Sequence, residues 1–220
     1  MDKREPYNGL VRAVRWMVRH FSPARQVSDA PMPKPCVLVC RHKNGSGPLS
    51  TLLRMEQQAR PWVLDLLCQR RACQQHFYHF TLTVRAGLPG WLAAPLSHIV
   101  GWTVPLLMRG LGGIPVHRGG MRALITLRES LSALEAGQRI IIYPDVDYAD
   151  TSPVVKELYG GYLLLARMYE KCRGQALAFV PVRAEKRRIH TGAPIYAMPG
   201  ESREALGERV RQALAALEQA

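Results

Sequence analysis

Acidic residues are scarce in this chain: 17 Asp and Glu stand against 30 Lys and Arg, giving a formal net charge of +13 and a pI near 10.0. That imbalance draws polyanions, whether nucleic acid, anionic lipid headgroups or a phosphorylated substrate. Aromatic residues are also thin, at 7%. With neither zinc-finger spacing nor an RNA-binding strand motif present, a nucleic-acid partner is disfavoured. No disulfide framework or zinc pattern can be drawn from five cysteines, spaced Cys36-x3-Cys40 and Cys68-x4-Cys73 with Cys172 apart. They read as reduced, mostly buried thiols of a protein facing the cytosol. The N-terminal stretch has no unbroken apolar run and no small-residue cleavage site, so secretion is not expected. Residues 91–108 carry no Asp, Glu, Lys or Arg, but these 18 residues are the lower edge of a bilayer-crossing helix and contain Pro95, Gly101 and Pro105. They predict a buried or interfacial segment. Internal repeats and low-complexity tracts are absent.

What is present suits one sizeable domain: 220 residues, 47% apolar and 21% charged. Leu10, Val11, Val14, Met17, Val18 and Phe21 recur at helical spacing, with Arg12, Arg15, Arg19 and His20 on other faces. This basic amphipathic helix is either an in-plane anchor on an anionic bilayer or a helix packed on its own domain. Pro31, Pro33 and Pro35 close the segment, so residues 1–30 are read as helix and link and residues 31–220 as a single α/β domain. Short apolar runs at 36–40, 62–67, 113–116, 139–143 and 177–182 read as strands buried on both faces. Helical patterns at 121–136, 153–169 and 202–219 alternate with them. The fold class predicted is therefore α/β, a mostly parallel central sheet flanked by helices on both faces.

Three blocks sit where such a sheet places functional loops, just beyond strand ends. In CRHKNGSGPLSTL, His42 follows the first buried run, and Ser46 lacks the Gly-x-Ser-x-Gly elbow of a nucleophile. GGIPVHRGG ends in His117 and Arg118, a guanidinium suited to a phosphate. RIIIYPDVDYADTSP brings Asp145, Asp147 and Asp150 together, as a cation site or as an acidic turn with a helix cap. A fourth block, ALAFVPVRA, is apolar enough for ordinary core.

Taken jointly, from about residue 36 to residue 196, the blocks resemble the glycerolipid (lysophospholipid) acyltransferase family. That family's His-x4-Asp is matched by His42 but carries Gly47 at the Asp position. Its Gly-x-Ile-Pro-Val-x-Arg strand is matched from Gly112 to Arg118. Its Phe-Pro-Glu-Gly-Thr-Arg motif survives only as Tyr143-Pro144-Asp145, and its Val-Pro-Val and Gly-x-Pro-Ile segments as Val180-Pro181-Val182 and Gly192-Ala193-Pro194-Ile195. Residues 69–88 are extra length.

The resemblance implies transfer of a fatty acyl group from acyl-CoA or acyl-carrier protein to a hydroxyl of a glycerophosphate or lysophospholipid, with no cofactor and no metal. His42 would be the general base, and Arg118 would grip the acceptor phosphate. Gly113, Pro115, Tyr143, Pro144, Val180 and Pro181 would complete the substrate-binding set. With Gly47 in the dyad, either Asp145 or Asp147 supplies the missing carboxylate, or the protein is a noncatalytic lipid binder of the same fold. The basic helix, the apolar 91–108 segment and a water-insoluble acceptor predict peripheral attachment to the cytoplasmic face of an anionic membrane.

Overall fold

A computed structural model describes residues 6–117, 119–152 and 154–219. Arg118 and Pro153, which the sequence singled out for a phosphate contact and a helix start, lie outside the described residues.

Cys36–Cys40 forms β2, and every one of its residues is buried. It lies in the middle of the sheet, where alternating side chains must fill two cores. Val37 and Val39 enter one core with Ile140, Ile142 and Phe179. Cys36, Leu38 and Cys40 enter the other with Ile141, Val180 and Val182. Parallel to β2 run β5 (Arg139–Ile142) on one side and β6 (Ala178–Ala184) on the other. Next to β5 come β3 (Arg60–Leu64) and then β4 (Ile114–Val116), again parallel. Beyond β6, β7 (Arg188–Thr191) pairs antiparallel, and β1 (Arg25–Ser28) closes the edge parallel to β7. The path is β1-β7-β6-β2-β5-β3-β4, with the short β8 (Ile195–Tyr196) also on β6. This is the mostly parallel sheet that the strand–helix alternation predicts, and the antiparallel pairs are confined to β6, β7 and β8.

Helices cover both faces. Helix α5 (Ala123–Glu135), α6 (Leu164–Arg173) and α7 (Arg203–Gln219) send Leu127, Leu134, Leu165, Leu206, Val210 and Leu214 into the first core. Helix α2 (Ser46–Arg54) sends Leu52 to the second. Two boundaries differ from the sequence pattern. The apolar run 62–67 leaves the strand at Leu64 and turns through Asp65–Cys68. The helix expected over 153–169 starts only at Leu164, because residues 154–160 form an irregular stretch that bridges back to Asp145 through Leu158.

Helix α1 (Gly9–Phe21) is capped by Asn8, whose side chain accepts the Val11 N–H at 2.9 Å. Its inward face is not the apolar stripe read from the sequence. Val11 and, unexpectedly, Arg15 are buried. Arg15 reaches the end of α2, donating to the Leu52 carbonyl and, at 2.5 Å, to the Met55 carbonyl, while its guanidinium lies over the Tyr7 ring. A cation at a helix C-terminus satisfies carbonyls that have no intrahelical donor. With Arg15 inside, Leu10, Trp16, Met17 and Phe21 are left exposed, Phe21 at 77%.

Residues 69–88, read as extra length, form α3 (Arg70–His76) and a wide-turned segment Phe77–Arg85, which with the long α4 (Gly90–Gly110) make a helical excursion between β3 and β4. Helices α3 and α4 approach closely at Gly101, where a Cβ would come within 2.8 Å of the Gln74 Cβ. The 91–108 segment is therefore helical, and its large residues Trp91, Ile99, Trp102 and Leu106 are exposed rather than buried.

Replacing Arg15 by Ala strips donors from the buried carbonyls at the end of α2. Urea unfolding is expected to show a loss of about 2–3 kcal/mol; a loss within about 0.5 kcal/mol, the range of ordinary surface changes, would contradict the capping role.

Candidate active site

The carboxyl ends of β2, β3, β4 and β5 meet at one edge of the sheet, the place where parallel α/β folds leave a crevice. A cavity of about 690 Å³ opens there, within the size range of small-molecule sites. Its walls are mainly apolar: Trp62, Val63, Leu64 and Leu67 after β3, Val116 from β4, Leu127 from α5 and Ile142 from β5. Polar groups at its surface include His42, His117, Thr126, Tyr143 and Tyr148.

His42 stands two residues beyond β2, at the start of a tight turn. Lys43 and Asn44 adopt positive φ of 43° and 54°, and Gly45 follows at 90°. The turn closes as the N–H groups of Gly45 and Gly47 both donate to the His42 carbonyl, at 2.9 and 3.2 Å. Closure has a consequence for position 47. A Cβ built on Gly47 would lie 1.9 Å from the Arg41 carbonyl oxygen. No side chain fits there without moving the backbone, so the closed turn has no room for the carboxylate that a His-x4-Asp pattern would place at position 47.

The imidazole is oriented instead by main chain. Nδ1 lies 3.2 Å from the Tyr148 carbonyl oxygen and 3.1 Å from the Gly45 nitrogen. Gly45 N–H is shared between the His42 carbonyl at 2.9 Å and Nδ1, which accepts it at 3.1 Å, so a proton on Nδ1 would give up the second contact and leave the first. The Tyr148 carbonyl has two acceptor sites, and one takes the Asn44 N–H at 2.8 Å. The second is filled if Nδ1 carries the proton. That tautomer leaves the Nε2 lone pair without a hydrogen bond among the described residues and available to the cavity. Tyr143 and Tyr148 hold the ring edge-on, with centroids 6.2 and 5.1 Å away. Burial lowers the His42 pKa below its ordinary value of 6.5, partly offset by the Tyr148 carbonyl and the Asp145 charge, with Arg85 lowering it further. The lowered pKa favours the neutral ring.

Asp145 and Asp147, proposed from sequence as stand-ins for the absent Asp, do not bond the ring. Asp145 is 5% exposed; one oxygen accepts the His42 main-chain N–H at 2.6 Å and the other accepts from Arg41 Nε at 3.2 Å. Arg41, equally buried, also donates to the Ser152 carbonyl at 2.6 Å and lies 3.6 Å from Asp150. The carboxylate thus fixes the backbone that carries His42, and its distance from the ring follows from being held by Arg41 beneath the loop. Asp147 is exposed and accepts the Ala149 N–H at 3.0 Å. Asp150 accepts the Ser152 N–H at 2.9 Å, which holds its pKa well below the usual carboxylate range, but no helix starts there to be capped. Among the described residues no group of three His, Cys, Asp or Glu is arranged to hold a metal ion.

The other sequence candidates divide. Tyr143 and Pro144 line the cavity, and the Tyr143 hydroxyl is 2.7 Å from Thr51 Oγ1, which donates to the Gly47 carbonyl at 2.9 Å. Gly113 serves close packing: its added Cβ would meet the Met108 carbonyl at 3.0 Å. Pro115 accepts from Thr126 Oγ1 at 2.8 Å through its carbonyl, while its neighbours Val116 and His117 form the wall. Val180 belongs to the second core, and Pro181 lies beside Val39 in the sheet register, so neither faces the cavity. His117 Nδ1 is 3.4 Å from Asp65, within ion-pair range but without hydrogen-bond geometry. Sequence reasoning missed Arg41, Tyr148 and the walls contributed by β3 and α5. Position at a strand end is the signal that could have found Leu64 and Leu67; nothing in the sequence marks a main-chain acceptor.

No family model matches this chain, and a search of curated proteins finds no significant match. Among solved structures it is similar to the crystal structure of the 1-acyl-sn-glycerophosphate (LPA) acyltransferase PlsC from Thermotoga maritima, with a TM-score of 0.56 and 13% identity. The likeness covers 96% of this chain and 77% of that one. At that identity it is a likeness of fold.

The crowding at position 47 generates a test. Gly47→Asp, which would restore the His-x4-Asp pattern on paper, is expected to destabilise the protein by at least about 1–3 kcal/mol in chemical unfolding, as overpacking does. An equally stable Gly47→Asp protein would show that the turn opens readily.

Proposed function

We propose that the protein is an acyltransferase that moves a fatty acyl group from an acyl thioester, acyl-CoA or acyl-carrier protein, to the hydroxyl of a glycerophosphate or lysophospholipid. The observation that carries this reading is an imidazole, its Nδ1 3.2 Å from the Tyr148 carbonyl oxygen, among the residues that line an apolar cavity. The fold shared with a lysophosphatidic acid acyltransferase supports it.

In this reading Nε2 of His42 removes the acceptor's hydroxyl proton as the oxygen attacks the thioester carbonyl. The tetrahedral adduct collapses with cleavage of the C–S bond, and the proton on Nε2 passes to the departing thiolate. The imidazolium formed in between is stabilised by the Tyr148 carbonyl and, through space, by Asp145. A carbonyl dipole does this less well than a carboxylate, whose removal from a serine-protease triad costs about 10⁴-fold. The acyl chain lies along Trp62, Leu64, Leu67 and Leu127, where each buried methylene adds about 0.8 kcal/mol.

The protein works attached to the cytoplasmic face of an anionic membrane. Two features support that placement. The exposed apolar side chains of α1 and α4, among them Trp16, Phe21, Trp91 and Trp102, suit an interfacial layer, and Arg12 and Arg19 on α1 suit lipid phosphates. Val11 of α1 packs with Leu111 and Met108 at the end of α4, so the two apolar helices are joined.

His42→Ala is expected to lower acyl transfer at least about 10²-fold, measured with acyl-CoA and acyl-carrier protein against a panel of glycerol phosphates and lysolipids. Wild-type protein that binds the lipids but transfers nothing would favour a noncatalytic lipid carrier. For pH the sign follows from the lowered His42 pKa. The base form dominates above that pKa, so the acid limb of kcat/KM should be centred below pH 6.5; an acid limb centred above 6.5 would count against His42 as the base. Trp91→Ser with Phe21→Ser should weaken sedimentation with anionic vesicles by at least about tenfold, given the 1.5–3 kcal/mol of a buried large apolar side chain; unchanged binding would remove α1 and α4 from the membrane account.

A further inference from the structure

The charges around His42 are unevenly matched. Arg41 is neutralised by Asp145 and Asp150, and Lys43 is tied to Glu218. Lys156 pairs with Asp150 at 3.1 Å. Arg85 is different. It ends the wide-turned segment Phe77–Arg85 of the extra hairpin, is exposed, and donates through Nη2 to the side-chain oxygen of Asn44, two residues from His42. That partner is neutral, and Arg85 forms no ion pair with a carboxylate among the described residues. The main chain of Asn44 in turn donates to the Tyr148 carbonyl that orients the imidazole. A residue belonging to the extra hairpin therefore places an uncompensated guanidinium against the loop that carries the base, outside the cavity wall and open to solvent.

An uncompensated cation at that position has a cost for the base. Its charge disfavours protonation of His42, and the imidazole must become an imidazolium during proton transfer. An anion placed on the guanidinium removes that penalty at the moment the acceptor is bound. A phosphate monoester has the charge and the acceptor oxygens to replace the Asn44 contact with bidentate, charge-assisted bonds. Bound in this way, the acceptor would have its apolar chain in the cavity, its hydroxyl at Nε2 and its phosphate on the solvent side of the loop. Tyr143-Pro144-Asp145-Val146-Asp147-Tyr148, the strand-end block beside His42, contains no cation of its own.

We infer that Arg85, delivered by the hairpin between β3 and β4, binds the phosphate monoester of the acyl acceptor. The inference rests on the acyltransfer reading above and deepens it by assigning a phosphate ligand that lies outside the sequence blocks.

The test compares wild type, Arg85→Gln and Arg85→Lys in steady-state transfer to lysophosphatidic acid and to monoacylglycerol, which has the same hydroxyl chemistry and no phosphate. Arg85→Gln is expected to raise the KM for lysophosphatidic acid at least about tenfold, the size of a lost charged hydrogen bond, and to leave monoacylglycerol and donor KM values within about twofold. Arg85→Lys should recover part of the loss, because the charge remains and the bidentate fork does not. Calorimetric binding of lysophosphatidic acid to the intact protein gives a readout independent of turnover. A tenfold weakening in Arg85→Gln, specific to the phosphate-bearing ligand, supports the assignment even if no transfer is detected, in which case it is the acyltransfer reading that fails. Equal effects on both acceptors, a raised donor KM alone, a shift confined to vesicle binding, or no effect on lysophosphatidic acid would overturn it.

Discussion

A single main-chain carbonyl, that of Tyr148, determines what His42 can do. It accepts from Asn44 N–H and stands 3.2 Å from Nδ1, so it ties the turn after β2 to the loop after β5 and favours the tautomer with the proton on Nδ1. Neither loop would stay in register without the layer below. There Asp145 accepts from both the His42 main chain and Arg41, and Arg41 reaches on to Ser152. A buried ion pair adds little net stability because desolvating both charges opposes their attraction, yet removing one partner leaves a stranded charge. Its role here is geometric: two loops from neighbouring strands are locked at one distance.

That lock accounts for the unusual chemistry of the loop. Tight closure brings the Arg41 carbonyl within 1.9 Å of where a Cβ would stand at position 47, so the turn excludes the side chain that the His-x4-Asp pattern would supply. A carbonyl dipole balances the charge of an imidazolium less well than a carboxylate does, and the burial that lowers the His42 pKa acts in the same direction. In the proposed transfer His42 is therefore a weak base on its own, and the proposed role of Arg85 links its strength to the phosphate of the acceptor.

Much of the fold was legible before any coordinates. Uninterrupted apolar runs such as Cys36–Cys40 have no polar face to offer, so they belong in a sheet covered on both sides, and β2 lies there with every residue buried. Leu206, Val210 and Leu214 gave α7 its inner stripe in the same way. Periodicity placed helix α1 but failed to show its inner face: with Arg15 buried against carbonyls at the end of α2, much of the apolar stripe faces outward. It failed again at 153–169, where residues 154–160 are bound to the Asp145 loop instead of a helix. At the cavity, His42, Tyr143 and Pro144 could be placed from sequence because side-chain type and strand-end position coincide. The acceptor that orients His42 was invisible, since every residue has a carbonyl, and Val180 and Pro181 were misassigned because a strand's apolar residues look alike whether they face core or cavity.

The most direct measurement is the tautomer of His42 in the intact protein, read from side-chain ¹⁵N chemical shifts near pH 7. The proton is expected on Nδ1, with Nε2 showing the shift of an unprotonated nitrogen. A proton on Nε2, or a charged ring at that pH, would contradict the assignment of the Tyr148 carbonyl as the group that prepares the base.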